Sequence, residues 1–315
     1  MAGKVSKYFL GHCKFFSIRF RFLSWDDIDD VMIFLRVISK LPLSVLYGFS
    51  DFLFFITYYV TGYRKEIVWK NLTKSFPEKG EKELTAIIKQ FYRDLCDYGV
   101  ETLKLLTISR EELGKRMVFK NPEILEKFAI KNQSVLILAS HQFNWEWLLA
   151  AGCFNLPMPV DFVYQEQSSK FFNDFSLAGR MRFGGHPIIR EHVARESIRR
   201  KGKQESRAIA IIADQFPGQG QDKRYWTKFL NQDTAFFQGI ERLAELTQYP
   251  AVFFSVKKIK RGYYESTGTP ITQPPYERDG HELLNTYACM IEEKLEQQPS
   301  NWLWTHNRWK ELPQV

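Results

Sequence analysis

The sequence predicts an α/β fold, with a mostly parallel central sheet flanked by helices behind an N-terminal hydrophobic, membrane-associating helical segment. Three observations carry this. Beyond Asn121-Pro122, short apolar runs alternate with helical patterns, the arrangement that builds parallel sheets. Ahead of them, from Glu81, apolar residues recur at three- and four-residue steps, as on one face of a helix. Earlier still, Leu41 to Val60 is an apolar run of about twenty residues, the length that crosses a hydrocarbon core of about 30 Å.

From the N-terminus, aromatic side chains crowd the chain, first as Phe9, Phe15, Phe16, Phe20 and Phe22 and again from Tyr47 to Tyr63, which suits a lipid interface. No small-residue cleavage site precedes the acidic patch Asp26, Asp27, Asp29 and Asp30, so a cleaved secretion signal is not expected. The run LPLSVLYGFSDFLFFITYYV has Asp51 as its only charge, in mid-segment, and Arg36 and Lys40 before it balance Arg64 and Lys65 after it. A monotopic helix lying in the interface is therefore preferred over a single span, with a buried helix of a soluble core as the plain alternative. After Arg64 the composition becomes that of a soluble domain, dividing the chain into an anchoring segment, 1–63, and an α/β domain, 64–315.

Ser75-Phe-Pro-Glu-Lys-Gly80 reads as a turn, and Leu84, Ile87, Ile88, Phe91, Leu95, Tyr98 and Leu105 mark the amphipathic helix after it. The runs within Ser134–Ser140, Met158–Tyr164, Ala208–Asp214 and Ala251–Lys257 read as buried strands. Helical patterns cover Asn144–Phe154, Ser168–Phe183, Glu191–Lys201, Phe236–Gln248 and His281–Gln298. In such sheets, sites form beyond the carboxyl ends of the strands.

A chain of 315 residues that is 44% hydrophobic can bury a sizeable core. Its formal charge of +8 attracts anions, for which acidic or phosphorylated lipids and acidic carrier proteins are candidates. No periodic basic stripe or zinc-ligand spacing points to nucleic acid. Cys13, Cys96, Cys153 and Cys289 lie far apart with no C-x-x-C, which suggests neither a metal site nor a disulfide framework and fits a reducing compartment.

The most informative segment is Val135-LILASHQFNWEWLLAAG-Cys153. A buried strand ends at Ala139-Ser140, His141 occupies the turn, and a helix starting near Asn144 carries Glu146. A histidine at a strand end can reach a cleft, and a carboxylate in the first helical turn can fold back to fix its tautomer while it takes a hydroxyl proton. The helix N-terminus also offers free N–H groups to an oxyanion or a phosphate. Taken alone, H-x-x-x-x-E is a weak signal that a turn histidine and a solvated glutamate would produce as readily. No G-x-S-x-G elbow appears, which disfavours a serine hydrolase.

HQFNWEW resembles the H-x-G-N-W-E block of the late acyltransferases of lipid A biosynthesis, the lauroyl/myristoyl transferases, within the wider group of H-x-x-x-x-D/E glycerolipid acyltransferases. Trp69-KNLTKSFPE-Lys79 is similar to that family's R-N-L-x-x-x-F-P-E entry. Ala178-GRMRFG-Gly185 resembles its G-R-x-R segment, Ala213 to Gly218 its A-D-Q/H-D-x-G loop, and Ser300-NWLWTHNRWK-Glu311 its terminal Y-x-W-x-H-R-R-F-K. Five blocks in order span Trp69 to Lys310. Phe143 departs from a usual glycine, and Gln165-Glu166 from an expected Arg-Pro. The resemblance implies His141 as general base and Glu146 as its orienting partner, with an acyl carrier protein thioester as donor. It implies a glucosamine-based lipid hydroxyl as acceptor, no metal or redox cofactor, and a place at the inner membrane, on its cytoplasmic face.

Arg180 and Arg182 are candidates to bind a phosphate or the oxyanion, against a solvated basic helix end. Asn144, Asp214 and Gln215 are further candidate substrate contacts, with loop capping as the alternative for the last two. Trp304, His306 and Arg308 read as a strand or turn covering the site, with packing favoured over substrate contact. His12, His186, His192 and His281 have no partner that suggests chemistry, and Lys257 to Arg261 reads as a strand end that is solvated or docks an acidic carrier. The same pair would serve a lysophospholipid, aminolipid or mannosylated phospholipid acceptor, and a non-catalytic membrane adaptor is the alternative of another class.

Overall fold

The computed structural model describes residues 25–218 and 223–311. Phe9, Phe15, Phe16, Phe20 and Phe22, with His12 and Cys13, lie outside them. Helix α1 (Trp25–Ser39) leads to α2 (Leu43–Phe55), which Pro42 initiates and a π-turn over Ile56–Val60 extends. One stripe of α2, at Leu43, Leu46, Ser50 and Phe54, is buried, while Val45, Phe49, Phe52, Leu53 and Phe55 on the other face are exposed. The inward stripe packs on α4 (Glu81–Lys104), reached through α3 (Lys65–Ser75). Polar bonds pin it there. Ser50 Oγ donates to Asp97 at 2.7 Å, and Asp51, the charge that interrupts the apolar run, pairs with Arg261 at 2.7 Å.

The α/β body follows in the order α5 (Arg110–Arg116), β1 (Met117–Phe119), α6 (Glu126–Ile130), β2 (Val135–Ala139), α7 (Trp145–Asn155), β3 (Val160–Tyr164), α8 (Lys170–Met181), β4 (His186–Ile189), α9 (Val193–Gly202), β5 (Ala208–Ile212), β6 (Arg224–Phe229), β7 (Gln232–Phe237), α10 (Gly239–Thr247), β8 (Ala251–Lys260), β9 (Tyr263–Thr272) and α11 (Glu282–Gln297). Seven strands form one sheet in the order β1-β9-β8-β2-β5-β3-β4, parallel throughout except where β8 and β9 run antiparallel. Helices cover both faces. Leu136, Leu138, Ile209 and Phe253 face a core completed by α4, α10, α11 and the C-terminal turns; Val135, Ile137, Ala139 and Phe254 face one completed by α2 and α7. Alternate residues of one strand thus serve opposite layers, which is why these strands read as unbroken apolar runs.

The four expected strands appear, and the sheet adds β1, β4 and β9. The helix expected from Phe236 begins instead at Gly239, because Phe236 and Phe237 end the hairpin β6–β7. Its two-residue loop, Leu230-Asn231, has positive φ at both positions, 49° and 60°, as a type I′ turn requires, without the Asn-Gly signature that announces such turns. Between β8 and β9, Gly262 has φ 72°, and a Cβ there would lie 2.1 Å from Tyr47 Oη, so the turn that meets α2 requires glycine. Two of the four basic residues in the run before it are engaged by carboxylates of α2 and α4. Lys258 pairs with Asp94 and Asp97 and Arg261 with Asp51 and Asp97, so these two are not a free solvated face.

Candidate active site

Strands β2 and β5 run side by side with Ala139 opposite Ile212. Two residues beyond each of these ends stand His141 and Asp214, and the register brings them together. Asp214 Oδ1 lies 2.5 Å from His141 Nδ1, and Oδ2 accepts the His141 backbone amide at 2.8 Å. Trp302 Nε1 also donates to Oδ2, at 2.6 Å. Burial alone would raise the Asp214 carboxyl, but the His141 imidazole and these N–H donors outweigh it and hold the carboxyl below its ordinary value. On the far side of the ring, Gln215 Nε2 lies 3.1 Å from His141 Nε2. The tautomer that makes both bonds carries its proton on Nδ1, donates it to Asp214, and leaves the Nε2 lone pair as an acceptor.

The carboxylate on the imidazole is therefore Asp214, and the expected pairing of His141 with Glu146 is corrected. Glu146, buried in the first turn of α7, accepts a bidentate bond from Arg180 of α8, Nε to Oε2 at 2.8 Å and Nη2 to Oε1 at 2.6 Å, and a 3.2 Å bond from Trp145 Nε1. A planar guanidinium matches both carboxylate oxygens at once, which an imidazole cannot do. Burial would lower the Arg180 pKa, but Glu146 raises it above its ordinary value, so the guanidinium stays charged.

Four further expectations are revised. The Glu146 and Trp147 amides at the head of α7 are not free, since Asn144 Oδ1 accepts from them at 3.1 Å and 3.0 Å, and the Phe143 amide ahead of the helix donates to Asn301 Oδ1 at 2.9 Å. Asn144 is wholly buried as this cap and is no substrate contact. Arg182 points away to the end of α4, donating Nη1 to the carbonyls of Leu105, at 3.1 Å, and Ile108; helix ends leave such carbonyls unpaired. Asp214 is likewise fully buried, behind the imidazole rather than in the cleft.

His141, Glu146, Arg180 and Gln215 line one cavity of about 570 Å³. Gln165, Gln167 and Arg190 add polar groups, while Phe119, Ile137, Leu148, Leu156, Phe162 and Phe254 contribute apolar wall. An apolar cavity with a few convergent polar groups suits a ligand with a long hydrocarbon part and one reacting centre. Phe143, the departure from glycine, is buried and stacks on Phe91 and Trp145, so it fills core rather than cavity.

The C-terminal turns cover the site from behind. His306 Nε2 accepts the Phe216 amide at 3.0 Å, and burial with nearby Arg308 pushes its imidazole down to about 3, so it is neutral. Arg308 is fully buried over the Phe236 ring at 4.7 Å; burial pushes it down to about 9, against the attraction of Asp214. Trp304 packs in the core, and Asn71 Nδ2 donates at 3.0 Å to the carbonyls of both Trp304 and His306, joining the upstream block to the terminal one. Trp302 and Asn301 escaped the sequence reading. Both lie inside the terminal block, but nothing in their spacing says that one grips Asp214. His281 gains a carboxylate, Glu241 at 2.7 Å, which also accepts the Leu284 amide at 3.3 Å at the head of α11. Among the described residues no cluster of three His, Cys, Asp or Glu side chains is arranged to hold a metal.

A family model described as bacterial lipid A biosynthesis acyltransferase matches residues 14–311. No curated protein matches the chain significantly.

Proposed function

Because the chain belongs to the bacterial lipid A biosynthesis acyltransferase family and is thereby an acyltransferase, we propose that it moves a fatty acyl group from an acyl carrier protein thioester to a hydroxyl of a phosphorylated, glucosamine-based lipid, with His141 as base. The observation that carries this is the His141–Asp214 pair at an apolar cavity, with the Nε2 lone pair on the side away from the carboxylate.

In this reading the acceptor hydroxyl takes the place of the Gln215 amide at Nε2. Its proton passes to His141 as its oxygen attacks the thioester carbonyl, and Asp214 stabilises the imidazolium that forms. The tetrahedral anion then collapses, the C–S bond breaks, and the departing sulfur takes the proton back from Nε2. Glu146 engages Nε and Nη2 of Arg180, which leaves Nη1 for the developing oxyanion or an acceptor phosphate. A thioester is already activated, so positioning and charge stabilisation suffice.

The bare outer face of α2 supports docking at a membrane surface, and the ion pair of Asp51 with Arg261 supports a helix lying on the bilayer rather than through it. We place the protein at the cytoplasmic face of the inner membrane, where carrier-protein thioesters are available. Residues 1–63 act as its anchor and 64–315 as its catalytic part. The test is acyl transfer by purified protein from a carrier-protein thioester to a lipid A precursor, followed by mass spectrometry. His141→Ala should lower the rate about 10²- to 10⁴-fold; equal transfer by variant and wild type removes the base from the mechanism.

A further inference from the structure

The head of α7, from which Glu146 reaches Arg180, is held from behind by a carboxylate outside the cavity. Glu101, near the end of α4, has no exposed surface, and its carboxylate accepts three side-chain bonds. Tyr47 Oη donates to Oε1 at 2.8 Å; Asn144 Nδ2 at 2.8 Å and Tyr264 Oη at 2.7 Å donate to Oε2. The Glu101 backbone carbonyl accepts Trp147 Nε1 at 2.9 Å, a second tie to α7. Among the described residues no lysine or arginine forms an ion pair with it. A buried carboxylate without a salt bridge is costly unless hydrogen bonds satisfy it, and here elements far apart in the chain converge to do so.

Asn144 gives the arrangement its consequence. A carboxamide has one accepting end and one donating end. The accepting end caps the Glu146 and Trp147 amides, and the donating end meets Glu101. Burial pushes the Glu101 carboxyl up to about 7, against the hydrogen bonds it accepts; once ionised it only accepts and so dictates which end of Asn144 faces the helix, whereas a donor at position 101 would favour the reversed amide and uncap it. Tyr47 belongs to α2, whose outer face is bare, so the membrane-facing helix and the cap share one anchor.

We propose that Glu101 is a positioning residue for the acyl-transfer site: it orients Asn144 so that α7 is capped and Glu146 is delivered to Arg180, and through Tyr47 it ties that cap to α2. The positioning role rests on the acyl-transfer reading above; the hydrogen-bond relation does not. Changing Glu101→Leu removes the acceptor that orients Asn144, whereas Glu101→Gln keeps one, its Oε1 accepting from Asn144 and Tyr264 while its Nε2 donates to the Tyr47 hydroxyl.

Two measurements on the full chain decide the matter: kcat and KM for the carrier-protein thioester, and amide hydrogen exchange over residues 144–148. Glu101→Leu should lower kcat on the order of tenfold to 10²-fold, as expected when a catalytic group moves by up to about 1 Å, with KM nearly unchanged and exchange faster. Glu101→Gln should keep most of both. Wild-type kcat and protection in Glu101→Leu overturn the proposal, as does a Glu101→Gln variant that keeps the melting temperature but neither kcat nor protection. If Glu101→Leu does not fold, Glu101→Gln must fold with near wild-type kcat and protection, or the proposal falls. Should wild type and His141→Ala transfer acyl groups equally, the reading of the reaction fails, and exchange alone still judges the Glu101–Asn144 bond.

Discussion

Asp214 grips His141 twice, by its ring nitrogen at 2.5 Å and by its own backbone amide at 2.8 Å, so one carboxylate sets both the tautomer of the imidazole and the path of the turn that carries it. That double contact makes the pair sensitive to a change of a single atom.

Asp214→Asn tests this. An amide can turn its NH₂ toward Nδ1, which moves the imidazole proton to Nε2 and removes the base; kcat should fall on the order of 10⁴-fold with little change in circular dichroism. A linked effect appears in stability. The folded pKa of Asp214 is depressed below the ordinary 3.8, so its contribution is fully present above that value and is lost as pH falls through the lower, folded one. Acid titration of wild type should show this limb, and the asparagine variant should lack it.

Arg180→Met leaves Glu146, only 5% exposed, without its counter-ion. Urea unfolding should report a loss of about 3–5 kcal/mol, and replacing both partners with methionine should restore much of it, since a buried ion pair is often matched by apolar packing. Both variants should be inactive. Strictly additive losses would show that the two side chains are not coupled.

The outer face of α2 predicts vesicle binding. Phe49 and Phe52 are more than half exposed and one turn apart. Burying a phenylalanine is worth about 1.5–3 kcal/mol, so Phe49→Ser with Phe52→Ser should weaken partitioning to anionic vesicles by about 10²-fold or more at unchanged melting temperature. Unchanged sedimentation with vesicles would move the anchor to another surface.

Gly152 lines the cavity, and a Cβ placed there meets Leu156 and Phe119 at an ordinary 3.6 Å. Alanine should be accepted, whereas Gly152→Ile should fill cavity volume and shift kcat/KM toward shorter thioesters, each buried methylene being worth about 0.8 kcal/mol. A proportional loss at every chain length would place the acyl chain elsewhere.

Much of the architecture was legible because its causes are local. The runs around Leu136, Phe162 and Phe253 are buried on both faces and look it, and the spacing from Leu84 to Leu105 is that of a helix face. The hairpin of β6 and β7 was not legible, because Leu230 and Asn231 are held in left-handed conformations by tertiary contacts, among them the Glu292 carboxylate on the Leu230 amide, rather than by their own preference. Nor was the engagement of Lys258 and Arg261, whose acidic partners come from α2 and α4.

The sequence by itself determined the α/β class, the apolar segment with its single carboxylate, and the ordered blocks that put His141, Glu146, Arg180 and Asp214 among the residues of interest. Tertiary structure alone decided who holds whom. The register of β2 against β5 sets Asp214 beside His141, α8 brings Arg180 to Glu146, and Trp302 and Glu101 arrive from distant parts of the chain. Spacing along a chain constrains only neighbours within a few residues, whereas hydrogen-bond partnership at a buried site is set by which strands and helices lie side by side, and that is fixed only when the whole core packs.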